Sequence, residues 1–412
     1  MRTGILTYHA ASNFGANLQI LSTVSFLKHN GHNPIVINWV PAEFEKWTNG
    51  RAPKNQIDTH KCFRENNLPM TDICRSDANV ADIIQQNNID NVFIGSDALW
   101  NYYPKSRRKT FTVHPLRWEI ISPDHNYPNP FWGCFNSPYA DIPRVAFSVS
   151  CQNTPYYLVK GKLKKQIGES LLSFKRITVR DRWTQELVEY FTEGQISPDI
   201  TPDPVFAFSQ NVDIIITREY LLNKYNLEDN YILFSFLHPK FDTQWAKEFE
   251  ILCKHNGYQC VALPFPEKLV SFEFDVQIQL PLDPLEWYYL IKYSCGYIGE
   301  RMHPIVVSLH NAVPFFSFDN YGVEPRSRWL KYIIKPTFDE IQKAIKSSKT
   351  YDIVAKAELS GNYYNYNSNK LLPSPATVFE KLMNFDSEKC KQFSAYMSDN
   401  YLKYMHHIFN NQ

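Results

Sequence analysis

Along the chain, short apolar runs alternate with stretches in which apolar residues recur every three or four positions. That rhythm predicts strands followed by helices, and so an α/β architecture built on mainly parallel sheets. Ile5-Leu-Thr-Tyr8 reads as the first strand. Phe14, Leu18, Leu21, Val24 and Leu27 then mark one buried face of a helix that Gly31 ends, and 34–38 is the next strand. Residues 41–75 are polar, hold Pro and Asn, and read as an irregular excursion. A short helix over 80–86 leads into the buried strand 91–95. The segment 102–140 is rich in Pro, Asn and aromatic residues and reads as a long insertion or lid on one end of the sheet, a kind of loop that often carries function. A strand at 144–150, a helix near 157–172, a strand at 176–180 and a helix at 182–191 complete a first unit.

A second unit repeats the rhythm after Pro204, with strands at 231–237, 257–263, 296–299 and 313–318 and helices at 243–255 and 303–311. Asp283-Pro-Leu-Glu286 supplies an N-cap, a proline at the first helical position and an acid three residues after the cap, starting a helix that runs to about Ser294. The chain's 412 residues exceed the roughly 250–300 that one core serves, which also predicts two domains. The expected division is 1–208, carrying the insertion at 102–140, then 209–370, then a helical segment 371–412 able to cross back to the first unit. Two α/β units in series imply a cleft between them.

Composition narrows the function. With 44% hydrophobic and 21% charged residues the chain is an ordinary globular protein. Lys+Arg 43 against Asp+Glu 42 leaves a net charge of +1, without the basic excess needed to coat nucleic acid or an anionic membrane. No apolar stretch reaches the roughly 18–20 residues of a membrane span. Nor does the N-terminus have the basic region and cleavage site of a secretory leader, so a cytoplasmic protein is expected. The 8 cysteines are scattered without zinc spacing, which predicts free thiols and no metal. P-loop, dinucleotide-fold, nucleophile-elbow and zinc-hydrolase motifs are all missing.

Four places could carry chemistry, each at the end of a predicted strand, where open α/β sheets bind ligands. In Asn13-Phe-Gly-Ala-Asn-Leu-Gln19, a helix N-terminus could hold an anion or sugar oxygens through backbone N–H groups, with Asn13 and Asn17 beside it. The plainer reading is that Asn13 only caps the helix. Gly95-Ser-Asp-Ala-Leu-Trp-Asn101 offers a carboxylate at Asp97, an indole at Trp100 and an amide at Asn101. That set suits a sugar unless Asp97 merely caps and Trp100 packs inward. Arg180-Asp-Arg182 offers a guanidinium clamp for phosphate or carboxylate, Arg180 being the stronger candidate. In Gly299-Glu-Arg-Met-His303, a cation at Arg301 and an imidazole at His303 meet the positive end of a helix. This combination favours a dianion and proton transfer to it. His310, within that helix, reads as structural.

In this order the pieces resemble the polysaccharide pyruvyl transferase family: Gly4–Tyr8 with Asn13–Gln19, Ile94–Asp97 with Trp100-Asn101, Val145–Ser150, Thr178–Asp181, Asp203-Pro204, and Glu300–His303 followed by Val313-Pro-Phe315. Each piece is short; the ordered set is specific. The resemblance implies a GT-B-like fold, with two Rossmann-like domains facing a cleft. It also implies transfer of a pyruvyl group from phosphoenolpyruvate to two hydroxyls of one sugar, in a polysaccharide or its lipid-linked precursor, giving a cyclic ketal and phosphate. It matches Arg180 and Arg301 to the residues that hold the phosphoenolpyruvate anion and His303 to the catalytic histidine. Asp97 becomes the candidate partner of the acceptor hydroxyl, and Asn13, Asn17, Ser150, Trp100 and Asn101 candidate substrate contacts.

No cofactor is implied, phosphoenolpyruvate being the donor substrate, and a place at the inner face of the membrane is compatible with a lipid-linked acceptor. The chain departs from the family pattern twice. Arg-Met-His-Pro stands where many members have Ser-Phe-His-Gly, similar to an Arg-Leu-His branch, and Cys151 stands where a bulkier aromatic residue is common. Two other readings stay open on the residues alone: a GT-B-type glycosyltransferase using a nucleotide sugar, and a non-catalytic glycan-binding protein.

Overall fold

The computed structural model describes residues 1–49, 52–102, 122–135, 141–152, 154–236, 243–268, 274–321, 345, 348–367 and 371–410. They form two compact units, one of Met1–Asp213 with Met397–Gln412, the other of Ile214–Tyr396. No helix among the described residues is long and apolar enough to cross a membrane.

The first unit holds a six-stranded sheet of β1 (Arg2–Leu6), β2 (Asn33–Val36), β3 (Asn91–Asp97), β4 (Arg144–Val149), β5 (Arg176–Val179) and β6 (Asp199–Ile200), in the order β2-β1-β3-β4-β5-β6. Every pairing is parallel. A parallel sheet is covered on both faces, which is why its strands read as near-continuous apolar runs. The order of the strands reverses between β1 and β3, so the carboxyl ends of those two strands flank the switch point where such sheets bind ligands.

Two expectations are corrected here. Residues 41–75 are not irregular: they contain the helices Ala42–Asn49 and Lys54–Asn67. The second helix buries Gln56, His60 and Phe63, and two of those three are polar, so apolar periodicity could not reveal it. The helix Phe14–His29 buries Asn17, Gln19, Ser22 and Thr23 as well as its apolar stripe. Each makes a hydrogen bond inside the fold, Ser22 Oγ for example donating to Pro204 O at 2.8 Å and Gln19 Nε2 to Asp203 Oδ2 at 2.5 Å. Of the insertion expected at 102–140, residues 103–121 and 136–140 lie outside the described residues. The part that is described drives Phe131 and Trp132 into the core, 2% and 0% exposed.

The second unit holds β7 (Tyr231–Ser235), β8 (Gln259–Ala262), β9 (Val276–Gln277), β10 (Gly296–Gly299), β11 (Phe315–Asp319) and β12 (Tyr363–Asn365), in the order β12-β11-β10-β7-β8-β9. All of these pairings are parallel. Here the order reverses between β7 and β10. Asp283 caps the helix Pro284–Tyr293 as its spacing predicts, Oδ1 accepting from Leu285 N at 2.7 Å and Glu286 N at 3.4 Å. Glu286 takes a different part from the one its position implies. It is buried and accepts from Tyr220 Oη, Lys224 Nζ and Tyr225 Oη at 3.0, 2.6 and 2.5 Å, tying down the helix Arg218–Tyr225. The helix Ser387–Asn410 ends the described chain. In its last part, which belongs to the first unit, Tyr401 packs edge-on against Phe26 and Phe147.

Candidate functional site

In the second unit the chemistry gathers where β7 and β10 end. Gly299 is required there because a Cβ would lie 2.4 Å from Ser235 O, so no other residue lets the two strand ends come this close. The pairing continues one step beyond the strand, Glu300 N donating to Ser235 O at 3.1 Å. Arg301 then turns the chain with φ 77° and ψ 153°, a region otherwise reserved to glycine that costs about 1–3 kcal/mol and is typical of functional sites. The strained turn delivers the chain into the helix Met302–His310, where the N-cap residue Arg301 makes no side-chain capping bond. The positive dipole end of this helix suits an anion.

Arg301 stands at this terminus, 42% exposed along its side chain, with Nη2 2.9 Å from Glu267 Oε1 and its guanidinium 4.6 Å from the centre of the Phe265 ring. An ion pair open to solvent on the arginine side leaves the guanidinium within reach of an anionic ligand that would compete with Glu267. The ring below holds the guanidinium in place meanwhile. His303, half-buried, occupies the first turn of the same helix. Glu267 is the residue the sequence did not flag. It lies 34 positions from Arg301, and no local pattern links the two.

In the first unit, Arg180 follows β5 and is 8% exposed. Its Nη1 is 2.8 Å from Asp203 Oδ2 and its Nη2 is 3.6 Å from Asp97 Oδ1. Burial alone would lower its pKa, but the carboxylates of Asp203, Asp97 and Asp181 outweigh that and raise it. Asp203 also accepts from Gln19 Nε2 at 2.5 Å. Arg180, expected from the sequence as an anion clamp, faces these acids, and its Nε and Nη2 are buried with no hydrogen-bond partner among the described residues. Asp97 keeps a partly open carboxylate, 12% exposed, with Oδ1 accepting from Ala98 N at 2.7 Å.

Four further candidates lie buried in the first unit. Trp100 is 0% exposed, donates Nε1 to Phe131 O at 2.9 Å and stacks on Trp132 at 5.6 Å, so it offers no face to a sugar. Asn101 donates to Gln152 Oε1 at 2.7 Å inside the fold. Ser150 is closed in by its backbone bond to Asp97 O and by Gln152 N on its hydroxyl. Asn17 donates to His9 O at 3.3 Å and accepts from His60 Nδ1 at 2.6 Å. Asn13 caps the helix Phe14–His29, accepting from Ala16 N at 3.2 Å.

The bond from Asn17 leaves His60 with its proton on Nδ1, and burial, helped by Arg64, pushes its pKa down to about 3. Burial likewise takes His9 down to about 4. Both would protonate near pH 6.5 in the unfolded chain. Below that pH the unfolded state binds protons that the folded state refuses, so stability falls as pH falls. The expected slope is up to about 1.4 kcal/mol per pH unit for each histidine, ending near pH 4 for His9 and pH 3 for His60. Denaturant unfolding over a pH series measures that slope, and His60→Gln should reduce it by about half.

The family described as polysaccharide pyruvyl transferase matches residues 13–321. No curated protein matches the chain. Among solved structures, the UDP-GlcNAc 2-epimerase from Neisseria meningitidis bound to UDP-GlcNAc is similar at TM-score 0.54 and 11% identity, over 100% of both chains. The UDP-GlcNAc 2-epimerase from Methanocaldococcus jannaschii is similar at TM-score 0.50 and 9% identity, over 97% of this chain and 100% of that one. Likeness at such low identity is a likeness of fold: two parallel-sheet α/β domains of GT-B-like type.

Proposed function

The chain belongs to the polysaccharide pyruvyl transferase family, and from that premise we propose that it transfers a pyruvyl group from phosphoenolpyruvate to two hydroxyls of one sugar. The products are a cyclic ketal and inorganic phosphate. The observation that carries the proposal is the strained turn at Arg301, which sets a guanidinium, a helix N-terminus and His303 together at the β7/β10 switch point.

Phosphoenolpyruvate carries a carboxylate and a phosphate, and the chemistry of that turn matches it. Arg301 and the N–H groups of the helix Met302–His310 bind the anion, Arg301 leaving Glu267 to do so. His303 gives a proton to the methylene carbon, which makes the neighbouring carbon oxocarbenium-like. One sugar hydroxyl adds to that carbon, and a second then displaces phosphate to close the ketal. Of the two hydroxyl protons released, one makes good the proton now on the methyl carbon and the other leaves with phosphate. The acceptor is a sugar of a polysaccharide or of its lipid-linked precursor.

Incubation with phosphoenolpyruvate and candidate glycans, in buffer containing a chelator, tests the proposal. The expected result is phosphate release that depends on the acceptor, with a matching mass gain on the sugar. Release of nucleotide from a nucleotide sugar, with phosphoenolpyruvate inert, would overturn it. Arg301→Ala is expected to weaken phosphoenolpyruvate binding by about 1.5–3 kcal/mol, the scale of hydrogen bonds to a charged group. Arg301→Lys should recover only part of this, because an ammonium lacks the two-pronged fork. Calorimetric titration of the donor into each variant gives both values.

A further inference from the structure

The loop that leaves β4 and the helix Gly161–Leu172 after it carry a surface that none of the roles above uses. Tyr157 and Leu158, adjacent in the chain, are 48% and 52% exposed. Apolar side chains scattered singly over a surface are ordinary, but these two belong to a cluster of rings. Tyr157 stands edge-on to Tyr156 at 5.7 Å and to Trp183 at 6.3 Å, and Tyr156 meets Trp183 and Tyr190 at 5.1 and 5.5 Å. Directly after the exposed pair, four lysines fall within residues 160–165. Lys164 pairs with Glu193 at 3.1 Å, Lys165 with Glu169 at 3.8 Å and the neighbouring Arg182 with Glu186 at 3.4 Å, while Glu189 accepts from Ser197 Oγ. Lys160, held over the Tyr190 ring at 5.0 Å, and Lys162 are exposed and pair with no carboxylate among the described residues.

This surface lies at the carboxyl edge of the first sheet. Ser150 N donates to Asp97 O at 2.8 Å, Tyr102 N to Thr154 Oγ1 at 2.9 Å and Trp183 Nε1 to Thr154 O at 3.0 Å, so the segments that follow β3, β4 and β5 are tied together there. Tyrosine, tryptophan and leucine beside unpaired lysines suit the boundary of a bilayer, where ring bodies enter the headgroup zone and ammonium groups meet lipid phosphates. Lysine is depleted from protein interfaces, whereas at a lipid surface its long stem lets the charge reach outward. We propose that this surface docks the first unit, by its carboxyl edge, onto an anionic lipid bilayer. The net charge of +1 is no obstacle, because screening limits the attraction to the roughly 8–10 Å nearest the membrane. Two side chains and a few cations give reversible attachment rather than insertion. The proposal goes beyond pyruvyl transfer and stands without it.

Flotation of the full-length protein with unilamellar vesicles tests it, using phosphatidylcholine alone or phosphatidylcholine mixed with phosphatidylglycerol. Binding to the anionic vesicles is expected to be about tenfold or more tighter than to the neutral ones, and to weaken as salt screens the lysines. Lys160→Gln joined to Lys162→Gln should lower affinity for the anionic vesicles by about tenfold or more, since each lysine near such a surface contributes about fivefold. Tyr157→Ser joined to Leu158→Ser should weaken binding but leave its salt dependence in place, because the cations remain. Ile215, 72% exposed in the second unit, supplies the control, and Ile215→Ser should bind as the parent does.

Thermal unfolding shows that each variant is folded. Equal binding to neutral and anionic vesicles, an affinity untouched by the paired lysine substitutions, or an Ile215→Ser variant as impaired as the Tyr157/Leu158 one would each overturn the proposal. So would the absence of binding to either vesicle, which would leave the surface to a protein partner.

Discussion

Replacing His303 with alanine is expected to lower turnover by about 10²–10⁴-fold, the usual contribution of a positioned general acid, while leaving phosphoenolpyruvate affinity nearly intact. The separation follows from the geometry. In the proposed reading the anion's charge is met by Arg301 and by the N-terminus of the helix Met302–His310, and both survive the substitution. The proton for the methylene carbon has no such redundancy. Single-turnover rates and calorimetric donor binding on the same protein separate the two effects, and thermal unfolding shows that the variant is folded. In deuterated water the new methyl group should carry one deuterium, and the slowed variant should show a larger solvent isotope effect if proton delivery has become limiting. Near-normal turnover in His303→Ala would make the imidazole structural. Glu300, one residue before Arg301 and half-buried, would then be the next donor to test.

What could be read from the sequence and what could not divide along a physical line. Strands of a parallel sheet are buried on both faces, so β1, β3, β4, β7 and β10 stood out as apolar runs, and Asp283-Pro announced its helix through capping chemistry that is local by nature. The strands β6, β9 and β12 were invisible because two or three residues carry no periodicity. The helix Lys54–Asn67 was missed because its buried face includes Gln56 and His60, which only their tertiary partners make tolerable.

The same limit governs the site. Gly299 and the cation-plus-imidazole turn could be recognised because their residues are adjacent in sequence. Which of the other polar residues face solvent could not, since Trp100, Asn101 and Asn17 are consumed by partners 31, 51 and 43 positions away. A strand-end position marks where a ligand can be; it does not tell which side chains turn inward.

Arg180 is where that limit changes a prediction. Taken as an anion clamp, its loss would weaken donor binding and leave the fold alone. Its surroundings predict the reverse. Asp203, 2% exposed, and Asp97 share this one guanidinium, itself 6% exposed. One cation between two carboxylates leaves the cluster net negative, a poor host for a further anion. Arg180→Ala would leave Asp203 buried and unbalanced, and breaking a buried pair from one side costs about 3–5 kcal/mol.

The expected result is therefore a lower unfolding midpoint, with any loss of activity following the loss of folded protein. Arg180→Lys should restore part of the stability, because a point charge can face Asp203 but cannot also span to Asp97. Joining Arg180→Met to Asp203→Asn should be milder than Arg180→Ala alone, because the charge left behind is removed as well. Gln19 would still find a hydrogen-bond acceptor on the new amide. Chemical denaturation and donor titration of these variants decide between the two roles. An unchanged unfolding midpoint in Arg180→Ala, with phosphoenolpyruvate binding weakened tenfold or more, would return Arg180 to the substrate.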